Sequence, residues 1–333
     1  MIGALCSLRY NTPVKILIFD TDATVREVFT RELGEHELIF VEASVNHADL
    51  AANAGAAVVS VFVSSRLTRE DMQTLPNLKA VVARSSGIDH IDGDYLKEKG
   101  ITLYSVPRYG AQTVAEYTFA LLLALTRRLP ESFAQAQADV FEKKPRLEGD
   151  DVFGKTIGVI GTGAIGANVV ARSTAFGMQI LMHDLYPNKA LESDTARYVP
   201  LEELYAKSHI ITLHAPSTPE TYHLLNAAAF AQMKGGVVVV NTARGELVDT
   251  KALLDALRSG KVSRAALDVL EGERELQQGS GNEINRALIE EFVHGSRRVI
   301  YTPHVAFFTR EAYHEILATS AANIRDFIQK NTA

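Results

Sequence analysis

The sequence predicts an α/β protein made of two doubly wound parallel-sheet domains. Two stretches of the chain each alternate short apolar strands with segments of helical periodicity, which is typical of parallel sheets covered by helices. The 333 residues are also enough for two domains, each with a sizeable core. Between the two stretches, residues 111–128 repeat apolar side chains at helical spacing and are expected to form a long connecting helix.

The first stretch predicts the first sheet and a loop suited to ligand binding at its edge. A polar break at 84–90 follows the fourth strand and precedes a helix, which places it at the carboxyl edge where open α/β sheets bind ligands. Backbone N–H groups at Ser86 and Gly87 could meet an anion there, and an ordinary strand-to-helix loop is the alternative. The strands are expected at 14–19, 38–41, 56–61, 78–83 and 102–104.

The second stretch predicts a second sheet, after which the chain is expected to return to the first domain. Pro130 is expected to end the connecting helix, and residues 132–151 are expected to form a polar helical segment that leads into the sheet. A final helix, from Glu311 onward, is expected to pack on the first domain. The strands of the second sheet are expected at 155–160, 179–183, 209–214, 237–241, 264–268 and 298–301.

A glycine-rich turn after the first strand of the second sheet predicts a phosphate-binding site. In Gly161-x-Gly163-x-x-Gly166, the first glycine permits the tight turn, the second lets the backbone approach a pyrophosphate, and the third lets helix and strand pack closely. Asp184 ends the next strand 18 residues after Gly166, where a carboxylate can accept hydrogen bonds from ribose hydroxyls. No arginine follows at 185–188, so NAD is expected rather than NADP. A glycine turn followed by a strand-ending acid is the alternative.

Three further strand ends of the second sheet predict a catalytic group. Arg244 follows the strand at 237–241, acids follow the strand at 264–268, and His304 follows the strand at 298–301. Each residue alone could be a surface arginine, a capping acid or a structural histidine. Together they bring to one edge a guanidinium that can hold a carboxylate by two bonds and a histidine that a neighbouring carboxylate keeps protonated near neutral pH.

Composition and charge argue against several classes of partner. A net charge of −6 without a cluster of Lys and Arg disfavours nucleic acid and anionic membranes, since both attract a concentrated positive surface. The longest apolar run, 119–125, is too short to cross a bilayer. Residues 1–15 lack the pattern of a secretory signal, and the single Cys6 fits a reducing compartment. We therefore expect a cytoplasmic protein whose partner is a small molecule.

At these motifs the sequence resembles, over its whole length, the NAD-dependent D-2-hydroxyacid dehydrogenase family. Two features are most similar to the D-lactate dehydrogenase branch: Val106-Pro-x-Tyr109 before Ala115-Glu116, and Ala306-Phe307-Phe308 after the histidine. The charged segment 274–297 departs from shorter family members, which leaves the subgroup and its substrate open. The motifs found in family order are Gly161–Gly166 with Asp184, His214–Pro216, Asn241–Gly245 with Leu247–Asp249, Leu267–Val269 with Glu271 and Glu273, and Thr302–His304.

The resemblance implies a set of catalytic and substrate-binding residues. Arg244, Glu273 and His304 would form the catalytic triad, with Glu273 rather than Glu271 as the acid beside the histidine. The backbone of the loop at 86–88 would hold the substrate carboxylate. The implied substrate-binding residues are Ser86, Gly87, Ile88, Tyr109, Arg244 and Phe307.

The resemblance also implies the residues that bind NAD, and no metal is expected. Asp268 would contact the nicotinamide carboxamide, in addition to the glycine turn and the ribose-binding Asp184. The implied NAD-binding residues are Gly161, Gly163, Ala164, Ile165, Gly166, Asp184, His214, Ala215, Pro216, Thr242, Ala243, Arg244, Asp268, His304 and Ala306.

The domain architecture and the assembly follow from the same resemblance. Residues 1–108 with 307–333 would form a flavodoxin-like substrate-binding domain, and residues 109–306 would form a Rossmann NAD-binding domain. A cleft between the domains would take the substrate. Family members pair through their cofactor domains, so a homodimer is expected.

The implied activity is the reduction of a small 2-keto acid, with pyruvate as the expected substrate. Protonated His304 would give a proton to the carbonyl oxygen as the carbon receives hydride, and Arg244 would stabilise the charge on that oxygen. Other readings stay open: an NAD-sensing co-repressor scaffold of the same fold, a dehydrogenase for another 2-hydroxy acid, or a phosphite dehydrogenase. A formate enzyme is disfavoured because it would carry glutamine in place of Glu273.

Overall fold

The chain folds as two compact units, and the first is built from two separate stretches of sequence. The computed structural model describes residues 13–45, 50–107, 109–138, 147–277 and 279–331. The first unit comprises Met1–Tyr109 with Thr309–Ala333, and the second comprises Gly110–Phe308. The domain boundaries expected from the sequence fall after residues 108 and 306, and the observed divisions follow Tyr109 and Phe308. Cys6 lies outside the described residues.

The first unit contains one parallel sheet of five strands. Its strands are β1 Lys15–Ile18, β2 Glu37–Phe40, β3 Val58–Val61, β4 Ala80–Ala83 and β5 Thr102–Tyr104. They pair in the order β2-β1-β3-β4-β5, and all five lie on the apolar runs that predict them. Between them in sequence are the helices α1 Ala23–Leu33, α2 Arg69–Gln73 and α3 Gly93–Lys99.

Burial on both faces explains why these strands are continuous apolar runs. Every residue of β3 and β4 is buried, as expected for a parallel sheet with helices on each side. Successive side chains enter different cores, so Leu17 and Val59 pack into one core and Ile16 and Val58 into the other.

The second unit contains a parallel sheet of seven strands. The strands are β6 Thr156–Ile160, β7 Gln179–His183, β8 Ala196–Tyr198, β9 Ile210–Leu213, β10 Val237–Asn241, β11 Val262–Leu267 and β12 Val299–Tyr301. They pair in the order β12-β11-β10-β9-β6-β7-β8. Strand order therefore reverses beside β6, and the carboxyl edge at such a reversal is where doubly wound sheets bind ligands. The helices are α4 Ala111–Thr126, α5 Leu129–Gln137, α6 Ala164–Ala175, α7 Leu201–Lys207, α8 Ala227–Gln232, α9 Thr250–Arg258, α10 Glu273–Gln277 and α11 Glu283–Leu288.

The second unit differs from the sequence-based expectations in two respects. Strand β8 was not expected, because it is short and carries the charged Arg197 at its centre. Pro130 does not end the connecting helix: α4 already ends at Thr126, Arg128 adopts a left-handed conformation, and Pro130 lies in the first turn of α5. The first turn of a helix accepts proline because its N–H groups have no intrahelical partner. The polar segment expected at 132–151 is helical to Gln137, and residues 139–146 lie outside the described residues.

The charged segment at 274–297 and the last helix complete the two units. After α10 and α11, residues Ile289–Gly295 form a π-helical turn whose Phe292 is buried in the core of the second unit. Helix α12, Arg310–Asn331, then packs in the first unit, where Leu317 and Ile324 share a core with residues of α1. Across the described ranges, no helix combines the length and apolar character that crossing a membrane requires.

Candidate active site

Glu273 and His304 form a directly hydrogen-bonded pair at the carboxyl edge of the second sheet. His304 follows β12 and Glu273 follows β11, and these strands are neighbours. The Nδ1 atom of His304 lies 2.8 Å from Oε1 of Glu273. A carboxylate can only accept here, so Nδ1 carries the proton and Nε2 is the ring nitrogen left for chemistry. Both side chains are partly exposed, at 28% and 21%.

The backbone at His304 is held in a conformation that non-glycine residues rarely adopt. Its φ is +56°, in the left-handed region. The His304 N–H donates to the carbonyl oxygen of Asp268 at 2.8 Å. Such strain persists only where neighbouring bonds enforce it, and it is concentrated at functional sites.

Asp268 supplies those enforcing bonds. Its carboxylate accepts from Thr302 Oγ1 at 2.5 Å, from Val305 N at 3.0 Å and from Ala306 N at 2.8 Å. The residue is fully buried. Its carboxylate fixes the loop that presents His304.

Arg244 lies on the loop after β10, next to β11 in the sheet. Asn241, the last residue of β10, shapes this loop: its side chain donates to the Arg244 carbonyl at 2.8 Å and accepts from Ala243 N at 3.0 Å. Arg244 Nη1 donates to the Ala243 carbonyl at 2.7 Å. Thr242 is buried, and its hydroxyl pairs with that of Thr118 on α4 at 2.9 Å. The structure thus places Arg244, Glu273 and His304 after three adjacent strands.

The glycine turn between β6 and α6 has the open backbone that a pyrophosphate requires. Gly161 has φ +89°, and a Cβ added there would come within 2.6 Å of the His214 backbone. A Cβ at Gly166 would lie 2.0 Å from the Gly161 carbonyl oxygen, so helix and turn touch directly. At Gly163, by contrast, an added Cβ would meet nothing within 4 Å. Gly163 and Ala164 are exposed at the start of α6, and Ile165 is half-buried.

Asp184 closes this turn at the end of β7. Its Oδ2 accepts from Thr162 N at 2.6 Å and from Thr162 Oγ1 at 3.0 Å, and its Oδ1 accepts from Tyr186 N at 2.8 Å. Burial raises the pKa of Asp184, but these hydrogen bonds outweigh burial and hold the pKa below its usual value. The group is therefore a carboxylate at neutral pH, as a ribose-binding acid must be.

His214 follows β9 and lies beneath the glycine turn. Burial of its ring lowers the pKa of His214 to about 3, so the imidazole is neutral. Nε2 pairs with Thr212 Oγ1 at 2.9 Å, while the buried Nδ1 has no partner among the described residues. Ala215 is half-buried and Pro216 is exposed. Ala306 is buried, and Phe307 lies edge-on to the His304 ring, with centroids 6.4 Å apart.

The first unit carries the other expected substrate-binding residues. Ser86 and Ile88 are exposed and Gly87 is half-buried in the loop after β4, where Ser85 Oγ donates to the Gly87 carbonyl at 2.6 Å. Tyr109 is half-buried at the end of this unit.

Two groups in the structure were missed by the sequence reasoning. Arg84, only 1% exposed, donates to the Phe19 carbonyl and lies 3.9 Å from the carboxylate of Asp20. The other group pairs His223 with Glu271 in the second unit, at 2.9 Å. Both Asp20 and His223 have positive φ, a property that residue patterns do not reveal. Among the residues that the structure describes, no cluster of His, Cys, Asp and Glu could hold a metal ion.

Comparison with known proteins places this geometry among 2-hydroxyacid dehydrogenases. The family model for the NAD-binding domain of D-isomer-specific 2-hydroxyacid dehydrogenases matches residues 119–306. The chain is 34% identical to D-lactate dehydrogenase of Escherichia coli (strain K12), covering 92% of this chain and 93% of that protein. It is also 34% identical to an aromatic 2-oxoacid reductase of Clostridium sporogenes (strain ATCC 15579), covering 82% and 83%. A crystal structure of D-lactate dehydrogenase from Aquifex aeolicus, complexed with NAD and lactic acid, matches with a TM-score of 0.88 at 33% identity, covering 95% of this chain and 96% of that one.

Proposed function

This chain belongs to the NAD-dependent D-2-hydroxyacid dehydrogenase family, and from that premise we propose that it reduces pyruvate to D-lactate, with His304 as the general acid. The enzyme class and NAD as cofactor follow from membership. The substrate and the residue roles are the proposal. The observation that carries it is the 2.8 Å contact between Glu273 and His304. Glu273 follows β11, and β11 is the neighbour of β10, the strand that leads to Arg244.

The residues around the glycine turn fit NAD. Open space at Gly163 suits the pyrophosphate at the start of α6, and the ionised Asp184 suits the ribose hydroxyls. When bound, NAD supplies the hydride donor or acceptor. Gly161 packs tightly on the backbone of His214, and the His214 ring is neutral. Together these residues form the underside of the proposed NAD site.

In the proposed reduction, the chain's own residues move one proton and stabilise one charge. His304 holds its Nδ1 proton against Glu273 and, when protonated, gives the Nε2 proton to the carbonyl oxygen of the substrate. Arg244 stabilises charge that develops on that oxygen and holds the substrate carboxylate through its planar fork. From the first unit, we assign the backbone of Ser86-Gly87-Ile88 to the same carboxylate and Tyr109 to the substrate side chain. In the reverse direction, neutral His304 accepts the proton.

Pyruvate is proposed over larger keto acids because Tyr109 and Phe307 are bulky aromatic residues that would leave room for a small side chain. The similarity to D-lactate dehydrogenases supports this choice. The similarity to an aromatic 2-oxoacid reductase makes phenylpyruvate the second candidate. A substrate panel at fixed NADH should give the highest kcat/KM for pyruvate. A higher value for phenylpyruvate would assign the enzyme to aromatic substrates instead.

Two readings outside keto-acid reduction have their own tests. A phosphite dehydrogenase would reduce NAD with phosphite and leave pyruvate and NADH unchanged. A co-repressor-like scaffold would bind NADH without measurable turnover of any 2-keto acid. We expect turnover of pyruvate and none of phosphite.

We also propose a homodimer that pairs through the second unit. Large apolar side chains are exposed there, including Phe133 on α5 at 61% and Phe153 at 79%, and we assign Phe133 to the interface. Light scattering should give twice the mass of the chain, and Phe133→Glu should shift it towards the monomer.

A cytoplasmic location is proposed because a single cysteine suits a reducing compartment, and cell fractionation tests it.

A further inference from the structure

His223 lies between the two loops that carry Arg244 and Glu273. These loops follow β10 and β11, and neither contains His223, which belongs to the segment between β9 and α8. His223 contacts the first loop through its backbone and the second through its ring. Its φ of +50° is unusual for a residue other than glycine, so the surrounding contacts enforce this conformation.

The backbone contacts attach the His223 segment to the Arg244 loop. His223 N donates to the Glu246 carbonyl at 2.8 Å, and two residues later Leu225 N donates to the Leu247 carbonyl at 2.9 Å. Asp249 N returns a bond to the Leu225 carbonyl at 3.2 Å. The segment therefore runs beside residues 246–249 as a short, parallel, strand-like pairing.

The ring contacts attach the same segment to the stretch that precedes Glu273. His223 Nε2 lies 3.0 and 2.9 Å from the two carboxylate oxygens of Glu271, and Tyr222 donates to Glu271 Oε1 at 2.9 Å. The Tyr222 and His223 rings stack with centroids 3.9 Å apart. Nδ1 of His223 lies 4.0 Å from Asp249 Oδ2, so carboxylates face both ring nitrogens.

The loop that carries Arg244 and the segment that leads to Glu273 touch directly, so a change in the His223–Glu271 bond would alter how they are aligned. A Cβ added at Gly245 would lie 2.2 Å from the carbonyl carbon of Leu270 and 2.4 Å from Glu271 N, so the backbones already touch. The Glu273 N–H donates to the Leu270 carbonyl at 3.0 Å. The position of Leu270 therefore also determines the position of Glu273, the proposed catalytic acid. A shift of Glu271 would therefore move Glu273 relative to Arg244.

We propose that His223 is a positioning residue: its bond to Glu271 fixes the Arg244 loop against the segment that holds Glu273. The inference rests on the proposed function only for its kinetic readout. His223 acts through Glu271 and the backbone of Glu246, so its removal should lower kcat through misalignment while leaving NADH affinity unchanged. Small displacements of catalytic groups cost up to about a hundredfold in rate.

The kinetic test compares His223→Leu with His223→Gln, using the 2-keto acid that the wild type reduces fastest. His223→Leu removes the bond to Glu271 and should lower kcat about tenfold or more, with the Kd of NADH unchanged. His223→Gln can still donate to Glu271 and should recover most of kcat. The control is His294→Leu, which removes an exposed His–Glu contact of 3.6 Å on the π-helical turn and should match the wild type.

Hydrogen exchange gives a second readout that does not depend on activity. His223→Leu should speed exchange at residues 246–249 and 270–273, whereas His294→Leu should not. If His223→Leu fails to fold, Glu271→Gln, which keeps an acceptor for Tyr222 but weakens the bond to His223, should give the same split between kcat and Kd. Unchanged kcat and exchange in the folded variants, or an equal loss in His223→Leu and His223→Gln, would overturn the inference. A wild type that reduces no 2-keto acid would overturn the proposed function alone, and hydrogen exchange would still decide the positioning role.

Discussion

Among single residues, Glu273 should act on His304 through its charge. Glu273→Gln keeps the size and a hydrogen-bond acceptor beside Nδ1 but removes the carboxylate that stabilises the imidazolium. The kcat/KM for keto-acid reduction should therefore fall, while oxidation, in which His304 accepts the proton, should tolerate the change better. His304→Ala should depress both directions at all pH values, by about 10²- to 10⁴-fold. An equal loss of reduction and oxidation in Glu273→Gln would show that the acid is structural.

His214 should make the stability of the fold depend on pH. Its pKa is about 3 in the folded protein, against about 6.5 in an unfolded chain. The unfolded state therefore binds a proton first, and the stabilisation present above pH 6.5 is lost as the pH falls towards 3, by about 1.4 kcal/mol per unit. His214→Gln should flatten the pH dependence of the free energy of unfolding in this range, measured by denaturant titration. The exposed His294→Gln variant should retain the wild-type dependence.

For single residues, the sequence predicted those site residues that directly follow apolar runs. The reason is that the carboxyl ends of all strands in a parallel sheet lie at the same edge. The strand ends indicated an acid beside His304, and the family resemblance selected Glu273 over Glu271. The structure gives the Glu273–His304 contact. The sequence could not predict that the Asp268 carboxylate would accept hydrogen bonds from the His304 loop. The three donors lie in residues 302–306, and only folding brings them to Asp268. The role of His223 could not be predicted for a similar reason, because its conformation depends on contacts with two loops that are distant in sequence.

Among elements, the glycine turn separates a structural glycine from one that leaves room for a ligand. Gly166→Ala would force a Cβ against the Gly161 carbonyl and should lower stability by about 1–3 kcal/mol. Gly163→Ala adds its Cβ to open space, so the free energy of unfolding should be unchanged while NADH binds more weakly. Denaturant titration and NADH fluorescence measure the two quantities. Loss of stability in Gly163→Ala would contradict this division of roles.

Strands were predicted well where both faces of the sheet are buried, and poorly where an edge strand is partly exposed. Eleven strands lie on apolar runs, but β8 is a three-residue edge strand with an exposed arginine, so it lacks the signal of a buried strand. Pro130 carried the correct information that a helix boundary lies nearby. Only the geometry of Arg128 decides that the boundary falls before the proline rather than at it.

At the scale of the whole molecule, each unit has cores of its own, so a core lesion should act on one unit. Ile324 on α12 is fully buried in the first unit, and Ile324→Ala should cost about 2–5 kcal/mol there. NADH binding, assigned to the second unit, should persist at denaturant concentrations where the first unit is already cleaved by protease. Leu253→Ala, in a core of the second unit, should give the opposite order. Simultaneous loss of both units in Ile324→Ala would contradict the separation.

The division of the first unit into two stretches of sequence has a consequence for biosynthesis. All of the second unit is translated before α12, which supplies Leu317, Ala321 and Ile324 to a core of the first unit. Domains fold largely as units during synthesis. On the ribosome, the second unit therefore has its complete sequence earlier, while the core that α1 and α12 share still lacks the side chains of α12. An intermediate with an incomplete apolar core is prone to aggregation, so this is the vulnerable stage of synthesis.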